Sequence, residues 1–340
     1  MRHNRVEMLE RLLHPRTEDS GLAFDMFDHR MGDAEARRAR RMESIYHAGQ
    51  DKIWDGREVL SNLIDKHGKP TMPPAQKKAL ARIFSIIMWG ELAAWKISAQ
   101  LADRIVPLEG KLAATSQVHD EARHFYVMHD YLDALGEKPA KLDYWSRYVV
   151  ELTLGTDSLV KKLLGMQLTI ETIALTIFQR VREMKVEPVL TELLPYYERD
   201  EARHVGLGVQ MVPKLMASMN VAGQLDLAVF QLRLLVSTLA SLKAMERDLL
   251  SIGVDPRSVL VIGFRKHDEL QKMIRAEFPL WPDDPIVPRI FDGLCEAFFP
   301  SEGEGVEVGM ATRVAHALAV ARRVRPSPSD LWSEKHRSAA

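Results

Sequence analysis

Asp120-Glu121-Ala122-Arg123-His124 and Asp200-Glu201-Ala202-Arg203-His204 are one pentapeptide written twice, 80 residues apart. On an α-helix, residues three apart lie about 60° apart around the axis and one turn along it, so Glu and His at that spacing can reach a single ion. One Glu-x-x-His is expected about once by chance in a chain of this length. Two copies inside an identical pentapeptide are not, and none of the other His residues has Glu three positions before it.

The carboxylates repeat as well. Glu91 stands 30 residues before Glu121, and Glu171 stands 30 before Glu201. From Glu91 to Asp103 is about 18 Å of helix and from Leu108 back to Glu121 about 20 Å, so antiparallel neighbours bring the two carboxylates level. The stretches Glu171–Lys185 and Pro188–Glu201 give the same result. Glu91 lies in IFSIIMWGELAAW and Glu171 in LLGMQLTIETIALTIF. A carboxylate on such an apolar face costs several kcal/mol, on the order expected for an unpaired buried charge, or takes up a proton, unless cations relieve it. Four carboxylates and two imidazoles around two divalent ions sum to zero charge. Hard oxygen donors with one imidazole per ion favour iron or manganese.

Around these motifs the chain reads as all-α, with apolar residues at three- and four-residue intervals stopped by Pro and Gly. The pattern predicts a short helix over 5–13, a loop Asp25–Asp33, and a long polar helix Ala34–Asp65 ending at Gly68. It then predicts helices over 77–103, Leu108–Leu135, Leu142–Leu154, a continuous helix to Lys185 capped by Thr156 or Asp157, and Pro188–Ser218 across Pro195. Beyond Asn220–Gly223 come Gln224–Ser251, Pro256–Glu277, Pro288–Phe298 and Val306–Val324, with a surface loop Pro279–Pro288. The expected organisation is one domain, 1–340: a bundle core over 77–218, helical extensions over 1–76 and 219–325, and a frayed tail over 326–340. The basic run Arg37, Arg38, Arg40 and Arg41 reads first as a solvated helix face, then as a docking face.

Composition narrows the functional classes. With 46% hydrophobic and 27% charged residues the chain can bury a large core, and 46 basic against 47 acidic residues supply no field for nucleic acid or an anionic membrane. Cys295 is the one cysteine, which excludes an internal disulfide, a Cys-ligated zinc site or an iron–sulfur cluster within one chain. The charged start, MRHNRVEMLERLLHP, has no apolar signal core, and no uninterrupted apolar run reaches about 18 residues. The expectation is a cytoplasmic protein without a membrane span.

The order Glu, Glu-x-x-His, Glu, Glu-x-x-His over residues 77–218 resembles the ferritin-like di-iron carboxylate proteins. The fuller Asp-Glu-x-Arg-His form resembles their oxygen-activating branch of monooxygenase hydroxylases, acyl desaturases and ribonucleotide reductase small subunits. The resemblance implies that Glu91, Glu121 and His124 bind one ion and Glu171, Glu201 and His204 the other, with Glu121 and Glu201 able to bridge two Fe ions, Mn/Fe or di-Mn. It implies a crossed support in which Asp120 holds His204 and Asp200 holds His124, with Arg123 and Arg203 balancing the charge or pairing at the surface. Met128 stands where the reductase subunits carry a radical tyrosine, and Tyr197 where a branch of N-oxygenases carries a third His. Tyr126, Tyr131, Met88, Trp89 and Trp95 read as packing and His119 and His129 as ordinary; Tyr196 and Tyr197 read as core or as bordering the site, and residues beside Glu91 as a possible pocket lining.

The implied function is a di-iron O2-activating oxygenase or oxidase acting on a small or apolar organic substrate, by hydroxylation, desaturation, N-oxygenation or oxidative cleavage. Its electrons would come from a separate ferredoxin or reductase, and the added helices would enclose substrate or form a homodimer interface. Three alternatives stand beside it: a ferroxidase or iron-storage protein of bacterioferritin type, a manganese catalase-like peroxide enzyme, and a helical scaffold with a degenerate site.

Overall fold

In a computed structural model, residues 44–277 and 286–299 are described, together with single helical positions between 30 and 37 and between 312 and 320. The expected helix over 5–13, residues 279–285 of the expected loop Pro279–Pro288 and the tail over 326–340 lie outside these residues, and the end of that loop, 286–288, is helical instead. So do Arg38, Arg40 and Arg41, and Val306–Val324 is described at single helical positions only. Arg37 is helical and paired with Asp33, and Arg30 and Asp33, expected in a loop, are helical too.

The long helix expected over Ala34–Asp65 is two helices, α1 (Ser44–Gln50) and α2 (Gly56–His67). The break has a physical cause in Trp54-Asp55-Gly56. The Asp55 carboxylate accepts the N–H groups of Arg57 and Glu58 at 2.9 and 3.3 Å and so starts a new helix. Trp54 turns into the core, and a Cβ on Gly56 would lie 2.1 Å from Val127 Cγ2, so only glycine lets the chain press so closely there. α2 ends as expected at Gly68, whose φ of 81° suits glycine.

The long antiparallel pair α3 (Pro74–Arg104) and α4 (Leu108–Ala134) follows, then α5 (Tyr144–Leu154), capped by Asp143. The continuous helix expected next is interrupted: α6 (Leu159–Gly165) widens into a π-helical segment, Met166–Ile170, before α7 (Glu171–Glu183). Its first residue follows Ser158, not Thr156 or Asp157, although Thr156 Oγ1 accepts the Ser158 N–H at 3.2 Å. α8 (Pro188–Met216) runs through Pro195 and is capped by buried Glu187, which accepts the N–H groups of Val189 and Leu190. α9 (Val221–Ala244) and α10 (Glu246–Ser251) divide at Met245 what the pattern reads as one helix. α11 (Pro256–Glu277) and α12 (Ile286–Phe298) complete the described chain. There is no strand among the described residues, and the architecture is an all-α, ferritin-like bundle with added helices.

α9 is long and apolar enough by composition to cross a bilayer, the one such helix among the described residues. Asp226 and Arg233 interrupt it, and its Leu227, Phe230, Leu234 and Leu239 are buried against neighbouring helices, the behaviour of a core helix.

Two apolar clusters fill the bundle, and every bundle helix passes from one to the other at the same height. One takes Met88 from α3, Val127 from α4, Ile177 from α7 and Tyr197 from α8; the other takes Ala93, Ala114, Met166 and Leu207 from the corresponding chains. Glu91, Glu121, His124, Glu171, Glu201 and His204 all lie in the intervening layer. Two apolar cores thus clamp one polar plane and hold its ionisable side chains out of bulk water.

Candidate metal centre

The six residues with metal-ligand spacing meet in that plane, none more than 4% exposed. His124 Nδ1 lies 3.4 Å from Glu91 Oε2, 3.7 Å from Glu121 Oε2 and 3.2 Å from Glu201 Oε1. His204 Nδ1 lies 3.0 Å from Glu121 Oε1, 3.4 Å from Glu171 Oε2 and 3.4 Å from Glu201 Oε2. They form two groups that could each hold an ion: Glu91, Glu121, His124 and Glu201, and Glu121, Glu171, Glu201 and His204, with donor atoms within 4.8 Å of one another. Glu121 and Glu201 belong to both. The donor set fits divalent ions on a further count: both His Nδ1 atoms, Glu121 Oε2, Glu171 Oε2 and both Glu201 oxygens are buried without a hydrogen-bond partner.

Glu171 owes its position to the π-helical turn. Its N–H bonds to Met166 O, five residues back instead of four, so the turn re-aims every side chain that follows. Gly208 of α8 makes room for this wider turn, since a Cβ there would stand 2.7 Å from Leu168 Cδ2 and 2.9 Å from Gln167 Cβ.

Behind these six side chains the support is crossed. His124 Nε2 faces Asp200 Oδ2 at 3.3 Å and His204 Nε2 faces Asp120 Oδ2 at 3.2 Å, so each imidazole is oriented by the Asp of the other pentapeptide. Arg123 joins both aspartates at 2.6 and 2.7 Å, and Arg203 joins both at 2.8 and 2.9 Å. Both arginines are largely buried, so they balance the two aspartates inside the protein instead of pairing at the surface. Sequence reasoning missed Trp54, whose Nε1 donates to Asp200 Oδ2 at 2.8 Å and whose ring lies 4.7 Å from the Arg123 guanidinium. No local pattern marks it, because it approaches from outside the bundle.

Gln117 and Gln167 were missed as well. Gln117 Nε2 donates to Glu121 Oε1 at 3.1 Å and to Glu171 Oε1 at 2.6 Å, and Gln167 Nε2 donates to Gln117 Oε1 at 3.4 Å. Gln117 lies one turn before Glu121, and the equivalent position before Glu201 is Tyr197. Tyr197 stacks on the His124 ring at 4.4 Å and donates its hydroxyl to His124 O at 2.9 Å, so it borders the site while packing in the core. Tyr196 packs on Trp54. Met128 and Tyr131 are core residues, Tyr131 donating to Glu187, and His129 is exposed beside Asp130. His119 reaches Arg123 at 3.2 Å.

The electrostatics call for positive charge at the centre. Burial, with Glu201 nearby, pushes the Glu91 carboxyl well above its usual range, and burial does the same to Glu171. Burial also opposes charge on Glu121, but the imidazoles of His204 and His124 outweigh it and hold that carboxyl low. The imidazoles, themselves opposed by burial, are held well above the usual histidine range by the surrounding carboxylates.

The cluster opens onto a cavity of about 630 Å³. Glu91, Glu171 and Glu201 stand in its wall, and the remainder is largely aliphatic, from α3, α5, the π-helical segment, α7, α9 and α11. Beside Glu91 it is Ile86, Ile87, Gly90 and Ala94 that line it, not Met88, Trp89 or Trp95.

No protein-family model matches the chain, and no curated protein matches its sequence. Among solved structures it is similar to "Protein 19 with aldehyde deformylating oxidase activity" from Synechococcus, at TM-score 0.50 and 18% identity, over 59% of this chain and 92% of that one. At that identity the likeness bears on the fold alone, and about two-fifths of this chain lies outside the match.

Proposed function

We propose that the chain is a non-haem di-iron oxidoreductase of the O2-activating type, acting on a small or apolar organic molecule. The observation that carries this reading is the junction of two merged Glu/His clusters with a largely aliphatic cavity, three of whose wall residues are carboxylates of those clusters. Glu91, Glu121 and His124 would hold one iron and Glu171, Glu201 and His204 the other, with Glu121 and Glu201 shared. Two iron(II) ions so held, when bound, supply activation of O2 for two-electron oxidation of a neighbouring organic molecule.

The chain's own part is positional. Asp200 and Asp120 orient the two imidazoles and keep their Nε2–H groups turned away from the centre. Gln117 holds Glu171 and Glu121 by its amide, and the two apolar clusters exclude water from the plane. The oxidase activity named for the Synechococcus protein supports an oxidase-type reaction here, and an aliphatic cavity suits an organic substrate better than iron storage. Electrons would come from a separate ferredoxin or reductase, and the enzyme would work as a cytoplasmic homodimer.

Metal analysis of protein expressed with iron and manganese present, followed by anaerobic reduction and O2 exposure, tests the reading. We expect about two ions per chain, mostly iron, and an O2-dependent absorption change with rapid O2 uptake. Protein that holds no metal would leave a helical scaffold; peroxide decay by a manganese-loaded form, without O2 uptake, would favour the catalase-like alternative.

A further inference from the structure

One face of α9 is apolar and bare. Val221, Leu225, Val229 and Leu232 lie within about 80° of one another around the helix, and they are 46–81% exposed. Val236 and Ala240 continue the stripe, and with Trp145 of α5 and Phe298 of α12 they line a recess at its C-terminal end. Val229 and Leu232 also stand in the wall of the cavity that Glu91, Glu171 and Glu201 share, so the stripe runs over that cavity's outer edge. Single exposed apolar residues need no explanation, but a contiguous stripe along one helix marks a contact surface.

The chain itself supplies an occupant. α12 ends at the foot of the stripe, where Phe298 lines the recess and buried Phe299 has the Lys243 ammonium 5.1 Å from its ring. From there Pro300-Ser301-Glu302-Gly303-Glu304-Gly305, which reach about 20 Å at full extension, lead into the helical pattern Val306–Val324. Val314 and Leu318 of that stretch are helical, share one face and are 48% and 52% exposed. Two bare apolar stripes therefore belong to one chain and meet at one end. Their spacing agrees: Val236, Leu232 and Val229 fall at intervals of four and three going back along α9, and Val314, Leu318 and Ala321 fall at the same intervals going forward. Set antiparallel, the three pairs meet in the interval pattern of a helix–helix seam. The same register brings Glu307 level with Lys243, and Arg322 and Arg323 beside Asp226, so opposite charges face each other at both ends. At 1.5 Å per residue the segment is about 28 Å long, which matches α9 from Lys243 back to Leu225. Pairing α9 with the α9 of a second copy would leave Val314 and Leu318 bare.

We infer that segment 306–324 packs antiparallel on the outer stripe of α9, Val314 on Val236 and Leu318 on Leu232, and so covers the outer edge of the cavity whatever reaction the centre performs. The test is a pair of cysteines in the full chain, Leu232→Cys with Leu318→Cys, oxidised mildly with diamide; native Cys295 is buried and stays out of the exchange. We expect an intrachain disulfide in most molecules, seen as a monomer on a non-reducing gel and as a cross-linked peptide by mass spectrometry. Thr312→Cys, about 120° around the helix from Leu318, should couple to Leu232→Cys at least tenfold more slowly. Equal rates for the two pairs, which a tethered but undocked segment gives, overturn the inference. So does the absence of a disulfide, and so does a disulfide between chains, which assigns the stripe to a second copy. Hydrogen exchange needs no cysteine variant: the amides of 310–322 in the unaltered chain should exchange at least tenfold more slowly than in Leu232→Glu. Identical exchange in the two proteins overturns the inference even if the cysteine variants do not fold.

Discussion

The two half-sites share a pentapeptide and differ in almost everything placed around it. One turn before the Glu of the first copy stands Gln117, with Ser116 beside it; one turn before the Glu of the second stand Tyr197 and Tyr196. Ser116 faces α1, where Gly49 lets the chains come close, its Oγ lying 2.2 Å from where a Cβ on Gly49 would be, while the tyrosine pair packs Trp54. Glu91 sits on a regular helix, and Glu171 follows a π-helical turn and is held by the Gln117 amide. Asp200 takes an indole donor that Asp120 lacks. The repeat thus sets two equal groups of candidate ligands, and the neighbours make them unequal: the Glu171 half is tied by the Gln117 amide, and the Glu91 half is backed by aromatic packing.

The largest effects should separate shared from unshared ligands. Glu121→Ala or Glu201→Ala is expected to remove both ions and the O2 response with helical content retained by circular dichroism. Glu91→Ala and Glu171→Ala should each leave about one ion per chain; dialysed protein measured for metal decides, and equal losses in all four variants would dissolve the two-group arrangement. His204→Ala should behave as Glu171→Ala does in stoichiometry.

Next come the supporting aspartates. Removing an outer partner of a metal-bound His ordinarily weakens metal about 10- to 100-fold. Asp200→Asn should lie at the upper end of that range and Asp120→Asn at the lower, because Asp200 also receives Trp54. Competition with a chelator gives the ratio, and a reversed order would mean that the indole contact carries no weight.

Gln117→Leu keeps volume but removes the donor to Glu171. Loss of one hydrogen bond to a carboxylate, about 1.5–3 kcal/mol, predicts roughly 10- to 100-fold weaker binding of the second ion with the first unchanged. A titration in which both ions weaken alike would show that Gln117 acts on the shared Glu121 instead. The smallest effect belongs to Tyr197→Phe, which deletes one neutral hydrogen bond to His124 O and retains the stack. Thermal unfolding should register about 1 kcal/mol and metal stoichiometry should not change.

Much of this centre is legible in the sequence. The six buried residues and the crossed Asp–His pairing follow from one motif, its repeat and the known behaviour of such motifs, because ligand spacing on a helix is a local property. Helix ends marked by Gly68, Gly136, Pro107 and Pro188 are equally local. The break at Trp54-Asp55-Gly56 is only half legible there: Asp55 is a local cap, but the helical period continues through it, and the press of Gly56 on α4 with Trp54 turned into the core decides that the chain breaks at this cap. The π-helical turn before Glu171 escapes for the same reason: Met166–Ile170 are ordinary helix residues, and the extra residue in the turn is accommodated by Gly208 on another helix.

The chain by itself therefore determined which residue types could hold ions and at what interval, because charge, donor hardness and the 3.6-residue period are properties of the residues and of the helix they form. Only the tertiary structure decided which side chains stand behind those ligands and what space lies in front of them. Gln117 and Tyr197 reach the centre from two different helices and Trp54 from the connection between α1 and α2, and the aliphatic cavity is a gap left among α3, α5, α7, α9 and α11. Such contacts join residues far apart along the chain and depend on how helices pack, which no interval within one helix encodes.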